Sequence, residues 1–140
     1  MPEALLAAPA LHHVGLVVRD LDAAIARYRA LGFGEPEVVE APEQGVRVAT
    51  FLAGTGLVEI LTPMDELSGV ARFLESRGEG MHHVAYRVPN ILAALRTLEA
   101  AGYELIDREP RLGVHGFPVA FVHPRSVHGV LTELVEVPSA

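Results

Sequence analysis

The amino-acid sequence predicts an α+β fold built from two copies of one strand–helix–strand–strand–strand module. Three observations lead to this prediction. The chain repeats itself, each copy changes from strand-like to helix-like patterning at the same place, and polar residues recur at matching positions of apolar strands. The chain has 140 residues, half of them hydrophobic, which suits a globular domain with a sizeable core.

The repeat has an offset of seventy residues and needs no gap over its first part. LHHVGLVVRDLDAAIARYRALGF (11–33) aligns with MHHVAYRVPNILAALRTLEAAGY (81–103), and eight of the twenty-three aligned positions are identical. Self-similarity of this kind indicates duplicated structural units. We therefore expect both stretches to fold in the same way.

The later part of each copy also aligns, at a slightly different offset. QGVRVATFL (44–52) matches HGFPVAFVH (115–123), and LVEIL (57–61) matches LTELV (131–135). The second copy has extra residues in HPRSVHG (123–129), where lengthening a loop costs little entropy. This places the insertion in a hairpin loop between the last two strands.

Each copy opens with an apolar run typical of a strand and continues with a helical pattern. Asp20 and Asn90 are candidate N-caps, and Gly32 and Gly102 lie where a left-handed residue would end the helix. Apolar stripes with helical spacing follow the caps. Their members are Leu21, Ala24, Ile25, Tyr28 and Leu31 in the first copy, and Ile91, Ala94, Leu95, Leu98 and Ala101 in the second.

We expect residues 1–140 to form a single domain, with module one at about 11–62 and module two at about 81–136. The stretch between them carries one short helix, at about 68–77. Duplication predicts a pseudo-twofold arrangement, in which the two modules form one cupped, mixed β-sheet with the helices outside. Equivalent strands would then converge on the centre of the cup.

Composition excludes several classes of function. The net charge of −7 argues against a nucleic-acid partner, which requires a basic surface. All eleven basic residues are Arg, so an anionic ligand would be held by guanidinium groups or backbone amides. The absence of Cys excludes disulfides and thiolate chemistry.

The N-terminus lacks the basic flank of a secretory signal, and no apolar run approaches the roughly 20 residues of a membrane span. We expect a cytoplasmic protein without a membrane partner.

Strand alternation assigns different roles to the two histidines of each pair. His13 and His83 share a strand face with a glycine or an alanine two residues later. A small neighbour leaves space beside the imidazole, which a ligand site needs. His12 and His82 lie on the opposite faces, which we expect to pack against the helices. Their bulky neighbours are Val14, Leu16, Val18, Val84, Tyr86 and Val88.

Glu59 and Glu133 lie in the middle of the apolar final strands of the two copies. A carboxylate there is costly unless it is paired, solvated or coordinated. Together with His13 and His83, the two glutamates form a donor set that suits Co²⁺, Mn²⁺, Zn²⁺ or Fe²⁺. The absence of Cys disfavours a closed structural zinc site. We therefore expect a metal site at the centre of the cup. The alternative is a duplicated fold whose polar residues are satisfied within the protein, or a site that has lost its metal.

These features resemble the vicinal oxygen chelate superfamily, which includes glyoxalases, bleomycin-resistance proteins and dioxygenases. Within it, a closer resemblance rests on four stretches: LHHVGLVVRDLDAAIARY (11–28), PEQGVRVATFL (42–52), ARFLESRGEGMHHVAYRV (71–88) and EPRLGVHGFPVAFVHPRSVHGVLTELVE (109–136). These stretches are similar to the methylmalonyl-CoA epimerase family. The resemblance implies a metal-dependent isomerase of propionate metabolism. It would interconvert (R)- and (S)-methylmalonyl-CoA by removing and returning an α proton through a metal-stabilised enolate.

The resemblance implies that His13, Glu59, His83 and Glu133 bind one divalent ion per chain. Co²⁺ is the first candidate, followed by Mn²⁺, Zn²⁺, Mg²⁺ and Ni²⁺. Glu59 departs from the Gln that is frequent in the family, and its added charge should weaken the ion as a Lewis acid. The resemblance also implies that Glu43, in PEQGV, is the general base. Read alone, Glu43 would be a solvated loop residue.

Two residues are candidates for the acid that returns the proton on the opposite face. The repeat places His115 opposite Gln44, beside the position of Glu43, which makes His115 a geometric candidate. Glu133, at the edge of the metal site, is the other. His115 can equally orient the substrate carboxylate or hold its own loop.

A CoA thioester substrate also requires groups that bind its phosphates. Arg125 and Ser126, in the inserted loop, are the first candidates and Arg111 is the second. The alternative for each arginine is an ordinary solvated surface position.

Two other functions belong to the same superfamily. One is a glyoxalase-like metal-dependent lyase or isomerase that acts on a thiol adduct. The other is a metal-free, drug-binding resistance protein, which has no reason to keep two buried carboxylates. By analogy with the superfamily, we expect a homodimer.

Overall fold

The computed structural model of the chain describes residues 4–138. Within them lie eight strands, three α-helices and one short 3-10 helix, which confirms the predicted α+β class. No helix in this range combines the length and apolar character that crossing a bilayer requires. The chain forms two compact units: the first consists of residues 13–82, and the second of residues 83–138 together with 4–12.

In chain order the elements are β1 (Ala10–Val17), α1 (Leu21–Leu31), β2 (Glu37–Ala41), β3 (Val46–Ala53), β4 (Gly56–Pro63), α2 (Gly69–Arg77), β5 (Gly80–Arg87), α3 (Ile91–Ala100), β6 (Arg111–Leu112), β7 (Pro118–Val122), the 3-10 helix (Pro124–Val127) and β8 (Thr132–Val135).

In the first unit four strands pair in the order β2-β3-β4-β1. β3 is antiparallel to β2 and β4, and β1 is parallel to β4, which makes the sheet mixed. Helix α1 covers one face of this sheet, because its apolar stripe packs on alternate residues of β3 and β4. The buried members of this core are Leu21, Ile25, Ala49, Phe51 and Ile60.

An aromatic cluster fills the centre of that core. The ring of Tyr28 lies 5.5 Å from that of Phe33 and 5.7 Å from that of Phe51, and the Phe33 and Phe51 centroids are 5.8 Å apart. These separations lie in the range that aromatic pairs prefer. The cluster fixes α1 and the residues after it on β3.

Helix α1 begins and ends as the sequence predicts. The side chain of Asp20 accepts a hydrogen bond of 3.0 Å from the Ala23 N–H, and Gly32 ends the helix with a φ of 108°. The expected apolar stripe is wrong at its last position, because Leu31 is exposed. It is the last residue of the helix.

In the second unit the strands pair in the order β5-β8-β7-β6. β5 is parallel to β8, and β7 is antiparallel to β8 and β6. Helix α3 covers one face, over a core formed by Val88, Ile91, Ala94, Leu95, Leu98, Ala120, Val122 and Leu134. The opposite face holds a smaller apolar cluster of Ala85, Val119 and Val135.

Helix α3 is capped by the predicted Asn90, whose side chain accepts a 3.0 Å hydrogen bond from the Ala93 N–H. Gly102 has a φ of 92° and follows the helix by two residues. The helix is also tied to the chain after β8, because the Ile91 N–H donates to Glu136 Oε1 at 2.8 Å. Both copies of the repeat thus begin their helix with the same local hydrogen bond.

The connections between the last two strands differ as the insertion predicts. β3 and β4 are joined by a two-residue turn at 54–55, whereas β7 and β8 are joined through the 3-10 helix. The helix predicted at about 68–77 is α2, which begins at Gly69. Its N-cap is Ser68, whose side chain accepts a 3.0 Å hydrogen bond from the Ala71 N–H.

Candidate active site

In the first unit, His13 and Glu59 form a buried pair. His13 Nδ1 lies 3.4 Å from Glu59 Oε2. The parallel register places Gly15 of β1 opposite Glu59 of β4, so the small residue beside the histidine also lies beside the carboxylate. Each of the two residues is only 4% exposed.

In the second unit, His83 and Glu133 form the equivalent pair. His83 Nε2 lies 3.6 Å from Glu133 Oε1, and the residues are 5% and 7% exposed. Ala85 lies opposite Glu133 in the parallel β5–β8 register, as Gly15 lies opposite Glu59. The register therefore reproduces the repeat at the level of individual side chains.

A His/Glu set of the kind that can hold a metal is thus present. Its chemistry fits a divalent ion, because in each pair the imidazole is a borderline donor and the carboxylate a hard one. The spacing within each pair fits as well. Two donors about 2.1–2.2 Å from a shared ion, at octahedral or tetrahedral angles, lie about 3.0–3.6 Å apart, whereas a charge-assisted hydrogen bond is about 2.7–2.9 Å long. The pairs at 3.4 and 3.6 Å have the spacing of neighbouring ligands.

The other two histidines lie on the opposite strand faces, as alternation predicts. His12 is half-buried. The His82 ring packs edge-on against Phe73 of α2, with centroids 4.9 Å apart, and burial lowers the pKa of its imidazole from the ordinary value of 6.5. The expectation of helix packing along this face is wrong for Tyr86, which is partly exposed near the end of β5.

Glu43 lies in the tight turn between β2 and β3 and is exposed. The turn is closed by hydrogen bonds from the Gln44 N–H to the Ala41 carbonyl (3.0 Å) and from the Gly45 N–H to the Pro42 carbonyl (3.1 Å). The turn leads into β3 at Val46, four residues before Thr50, which lies opposite Glu59. At about 3.3 Å per residue, the start of β3 is therefore about 13 Å along the strand from the position opposite Glu59.

Gly45 anchors this turn against the segment that leads into α2. Its φ is 70°, and its carbonyl accepts a 2.8 Å hydrogen bond from the Met64 N–H. A Cβ at Gly45 would lie 3.0 Å from Ser68 Cβ and 3.1 Å from Asp65 Oδ2. Only glycine allows this approach, so the position of Glu43 depends on the residue two places after it.

His115 lies in the turn between β6 and β7 and is half-buried. The turn is held by the Gly113 N–H, which donates to the Phe117 carbonyl at 2.9 Å, and by the Gly116 N–H, which donates to the Gly113 carbonyl at 3.0 Å. It occupies the place in the second unit that the Glu43 turn occupies in the first.

Arg125 and Ser126 are tied to the loop that follows α3. Arg125 Nη1 lies 3.4 Å from Glu104 Oε1, and Ser126 Oγ accepts a 2.8 Å hydrogen bond from the Glu104 N–H. The next residue, Val127, packs against the α3 side of the sheet. The Ser126 hydroxyl therefore helps to hold the loop, while the Arg125 side chain is 74% exposed.

Arg111 lies on the sheet face that carries His83 and Glu133. Its guanidinium carbon is 5.5 Å from the centre of the Phe121 ring, and that ring meets the His83 imidazole edge-on at 5.7 Å. Sequence reasoning missed Phe121. Its position two residues after Val119, opposite Glu133, follows only from the β7–β8 register.

Comparison with known proteins assigns the family. Residues 12–121 match the model of the glyoxalase/bleomycin resistance protein/dioxygenase superfamily. The chain belongs to this superfamily, whose fold accommodates the two βαβββ copies described above.

Several similar proteins are named as epimerases of methylmalonyl-CoA. The chain is 42% identical to the ethylmalonyl-CoA/methylmalonyl-CoA epimerase of Cereibacter sphaeroides over 132 residues, 91% of this chain and 97% of that protein. It is 40% identical to the human mitochondrial methylmalonyl-CoA epimerase over 126 residues, 89% of this chain and 72% of that one. A solved structure of methylmalonyl-CoA epimerase in complex with methylmalonyl-CoA and NH4+ superposes with a TM-score of 0.88 at 35% identity, covering 94% of this chain and 96% of that chain. These relatives confirm the resemblance and the enzyme class expected from it, an isomerase.

Proposed function

We propose that this protein is a metal-dependent epimerase that interconverts the two configurations at carbon 2 of methylmalonyl-CoA. The observation that carries the proposal is the pair of buried His/Glu combinations at equivalent positions of a duplicated fold, in a chain about 40% identical to epimerases named for this substrate.

The four buried residues would hold one divalent ion, with His13 and His83 as nitrogen donors and Glu59 and Glu133 as carboxylate donors. When bound, the ion supplies Lewis-acid stabilisation of the negative charge that develops on the thioester and carboxylate oxygens of the substrate. The two carboxylates neutralise the ion's formal charge. They therefore limit its acidity, and replacement of Glu59 by a neutral donor should increase it. Co²⁺ remains the first candidate.

Glu43 is the proposed general base. Its carboxylate is exposed in a turn that backbone hydrogen bonds and the Gly45 contact hold in place. A base must reach the α proton from one face of the substrate. A short turn fixed at both ends positions the carboxylate without burying it, so the group stays accessible to substrate.

The acid that returns the proton is either His115 or Glu133. His115 lies in the turn that corresponds to the Glu43 turn, whereas Glu133 belongs to the buried pair with His83. In deuterated buffer the variant His115→Gln separates the two roles. If His115 is the acid, the variant still exchanges the α proton of one enantiomer but no longer converts it to the other. If both processes continue at the wild-type rate, Glu133 is favoured.

For the CoA phosphates, the proposed contact is the exposed guanidinium of Arg125. It lies in the 3-10 helix that Ser126 anchors to Glu104, so an anion there would compete with the Glu104 carboxylate. The substitution Arg125→Gln should raise KM for the CoA thioester and leave KM for a thioester without phosphates unchanged. Equal KM changes for both substrates would exclude this role.

The deciding experiment measures deuterium incorporation at carbon 2 of methylmalonyl-CoA, with the protein loaded with metal or treated with chelator. Metal-dependent incorporation supports the proposal, and its absence in the metal-loaded protein refutes it. Ethylmalonyl-CoA is tested in parallel, because the Cereibacter sphaeroides relative is named for both substrates. Glu43→Gln should abolish incorporation while the metal stays bound. Glu40→Gln, an exposed carboxylate on the same hairpin, is the matched control and should alter neither.

Metal stoichiometry tests whether the two pairs share one ion. One ion per chain, lost on either His13→Ala or His83→Ala, supports a shared site. Two ions per chain, with one lost in each variant, would mean that each pair binds its own. A stoichiometry far below one, under metal-replete conditions, would favour a metal-free binding protein of the same superfamily.

We further propose that the protein is a cytoplasmic homodimer. Light scattering on the purified full chain and fractionation of the source cells test these two properties separately. A monomeric mass at micromolar concentration would exclude the dimer.

A further inference from the structure

Arg111 and Phe121, which the proposed chemistry does not use, form a short row of side chains that leads to His83. In the second unit Arg111 of β6 lies opposite Val119 of β7, and Phe121 of β7 lies opposite Glu133 of β8. Because residues that lie opposite one another, or two apart, share a face of a sheet, Arg111 is on the same face as Glu133 and His83. The row runs from Arg111 through Phe121 to His83.

The guanidinium is held in this row from two sides. Its carbon lies 5.5 Å from the Phe121 ring centre, a cation–π distance. Asp107 Oδ2 lies 3.6 Å from Arg111 Nη2 and accepts a 2.9 Å hydrogen bond from the Phe121 N–H. One carboxylate oxygen therefore connects the arginine to the backbone of the strand that carries the ring. Asp107 is largely buried, whereas the Arg111 side chain is 55% exposed, which leaves guanidinium N–H donors facing solvent.

The first unit lacks the equivalent cation at these positions. Val39 pairs with Val48 as Arg111 pairs with Val119, and Thr50 lies opposite Glu59 as Phe121 lies opposite Glu133. The duplicated scaffold thus carries an arginine and an aromatic ring in one copy and a valine and a threonine in the other. Such an asymmetry suits a substrate with two unlike ends.

Distances limit which part of a thioester Arg111 can reach. The two ring distances place its guanidinium carbon no more than about 11 Å from the centre of the His83 imidazole. With an advance of about 1.25 Å per covalent bond, an extended CoA arm places the first amide carbon about 6 Å from the thioester carbon. It places the first phosphorus about 16 Å from the sulfur. If the acyl group lies at the His83–Glu133 pair, the first amide is within the Arg111–His83 distance from the pair and the phosphates lie beyond it.

We propose that Arg111 binds the carrier arm of the substrate by donating a hydrogen bond to the amide carbonyl nearest the thioester sulfur. This inference rests on the proposed function, since it assumes an acyl group at His83 and Glu133. The interaction would keep the arm along the Phe121 ring and so orient the thioester. This proposal replaces the partner that the sequence predicts for Arg111: the amide carbonyl takes the place of the CoA phosphates.

Three thioesters of one acyl group separate the possible contacts. Methylmalonyl-CoA has the amide and the phosphates, methylmalonyl-N-acetylcysteamine has only the amide, and an S-pentyl thioester has neither. A lost hydrogen bond from a charged donor should reduce kcat/KM about 10- to 100-fold. Arg111→Gln should show this reduction with the first two substrates and no reduction with the third. Arg111→Lys should restore part of the loss, because a cationic donor remains.

Every other pattern overturns the proposal. A loss with the CoA thioester alone would assign Arg111 to the phosphates, and an equal loss with all three would assign it to the acyl group. No loss with any of them would show that Arg111 does not contact substrate. Arg108→Gln is the matched control, because Arg108 is an exposed arginine of the same unit that pairs with Glu99 of α3. It should leave all three values unchanged. Thermal unfolding of each variant checks that the fold is intact.

Binding measurements separate this inference from the proposed function. Calorimetric titration of metal-loaded protein with the N-acetylcysteamine and S-pentyl thioesters gives the same comparison without turnover. If wild type binds both but exchanges neither, the proposed reaction fails while the Arg111 assignment can still be decided. If Arg111→Gln binds both thioesters as tightly as wild type does, the assignment fails by itself.

Discussion

The substitution Gly45→Ala should disturb the Glu43 turn through a single methyl group. Two effects add at this position. The φ of 70° is costly for any residue with a Cβ, by about 1–2 kcal/mol. The new Cβ would also meet Ser68 Cβ at 3.0 Å and Asp65 Oδ2 at 3.1 Å.

These neighbours cannot move freely. Ser68 is the N-cap of α2, and Asp65 Oδ1 accepts hydrogen bonds from the Leu67 and Ser68 N–H groups at 2.9 and 3.0 Å. Displacing them loosens the start of the helix, so we expect an overpacking penalty of about 1–3 kcal/mol. The same clash would displace the turn that carries Glu43. A shift of about 1 Å in a positioned catalytic group can lower the rate on the order of 100-fold.

Gly54→Ala is the matched control. Gly54 lies in the turn between β3 and β4 with a φ of 66°, and a Cβ there has nothing within 4 Å. Both variants share the backbone strain and the reduced entropy of the unfolded chain, so the difference between them isolates the contact with Ser68 and Asp65. Urea unfolding should show Gly45→Ala less stable than Gly54→Ala by about 1–3 kcal/mol, and deuterium exchange at carbon 2 should fall only in Gly45→Ala. Equal stability losses would refute the packing argument, and unchanged exchange in Gly45→Ala would refute the positioning of Glu43.

Three further outcomes are expected. Phe51→Ala should lower the free energy of unfolding by about 3–5 kcal/mol, because the ring is fully buried. Leu52→Ala, at the 77% exposed neighbour, should change it by less than about 0.5 kcal/mol; similar losses in urea melts would contradict the core assignment. The pKa of His82 is lowered in the folded chain. At pH values between that lowered pKa and 6.5, the imidazole is protonated in the unfolded chain but not in the folded chain. The free energy of unfolding should therefore fall as the pH falls through this window. His82→Phe should reduce that dependence in metal-free protein, and an unchanged pH profile would exclude the effect. Glu59→Gln should weaken metal binding and raise the exchange rate per bound ion, because a negative charge leaves the donor set. Unchanged binding, measured by competition with a chelator, would show that Glu59 is not a ligand.

The periodic features of the chain could be predicted from the sequence because they depend on local rules. Alternation placed His13 and His83 on one strand face and His12 and His82 on the other. The helix caps Asp20 and Asn90 also follow from short-range hydrogen bonding. The α+β class required only the repeat, since two copies of one element order leave few alternatives.

The features that escaped prediction depend on contacts between distant parts of the chain. Arg111 approaches His83 through Phe121 only because the hairpin register aligns β6 with β7 and β7 with β8. Ser126 is engaged by the backbone of Glu104, twenty-two residues away, and no spacing rule connects the two. Asp107 likewise acquires its role from a strand that begins eleven residues later.

The aromatic cluster in the first unit gives the molecule a property useful for studying its folding. The chain has no Trp and three Tyr. Tyr28 belongs to the cluster around Phe51, and Tyr103 packs against the α3 core of the second unit. A single Trp introduced at either position would report fluorescence from one unit without background from the other. Coincident unfolding curves from the two reporters would establish that both halves of this duplicated chain melt as one cooperative body, and separate curves would give each half its own stability.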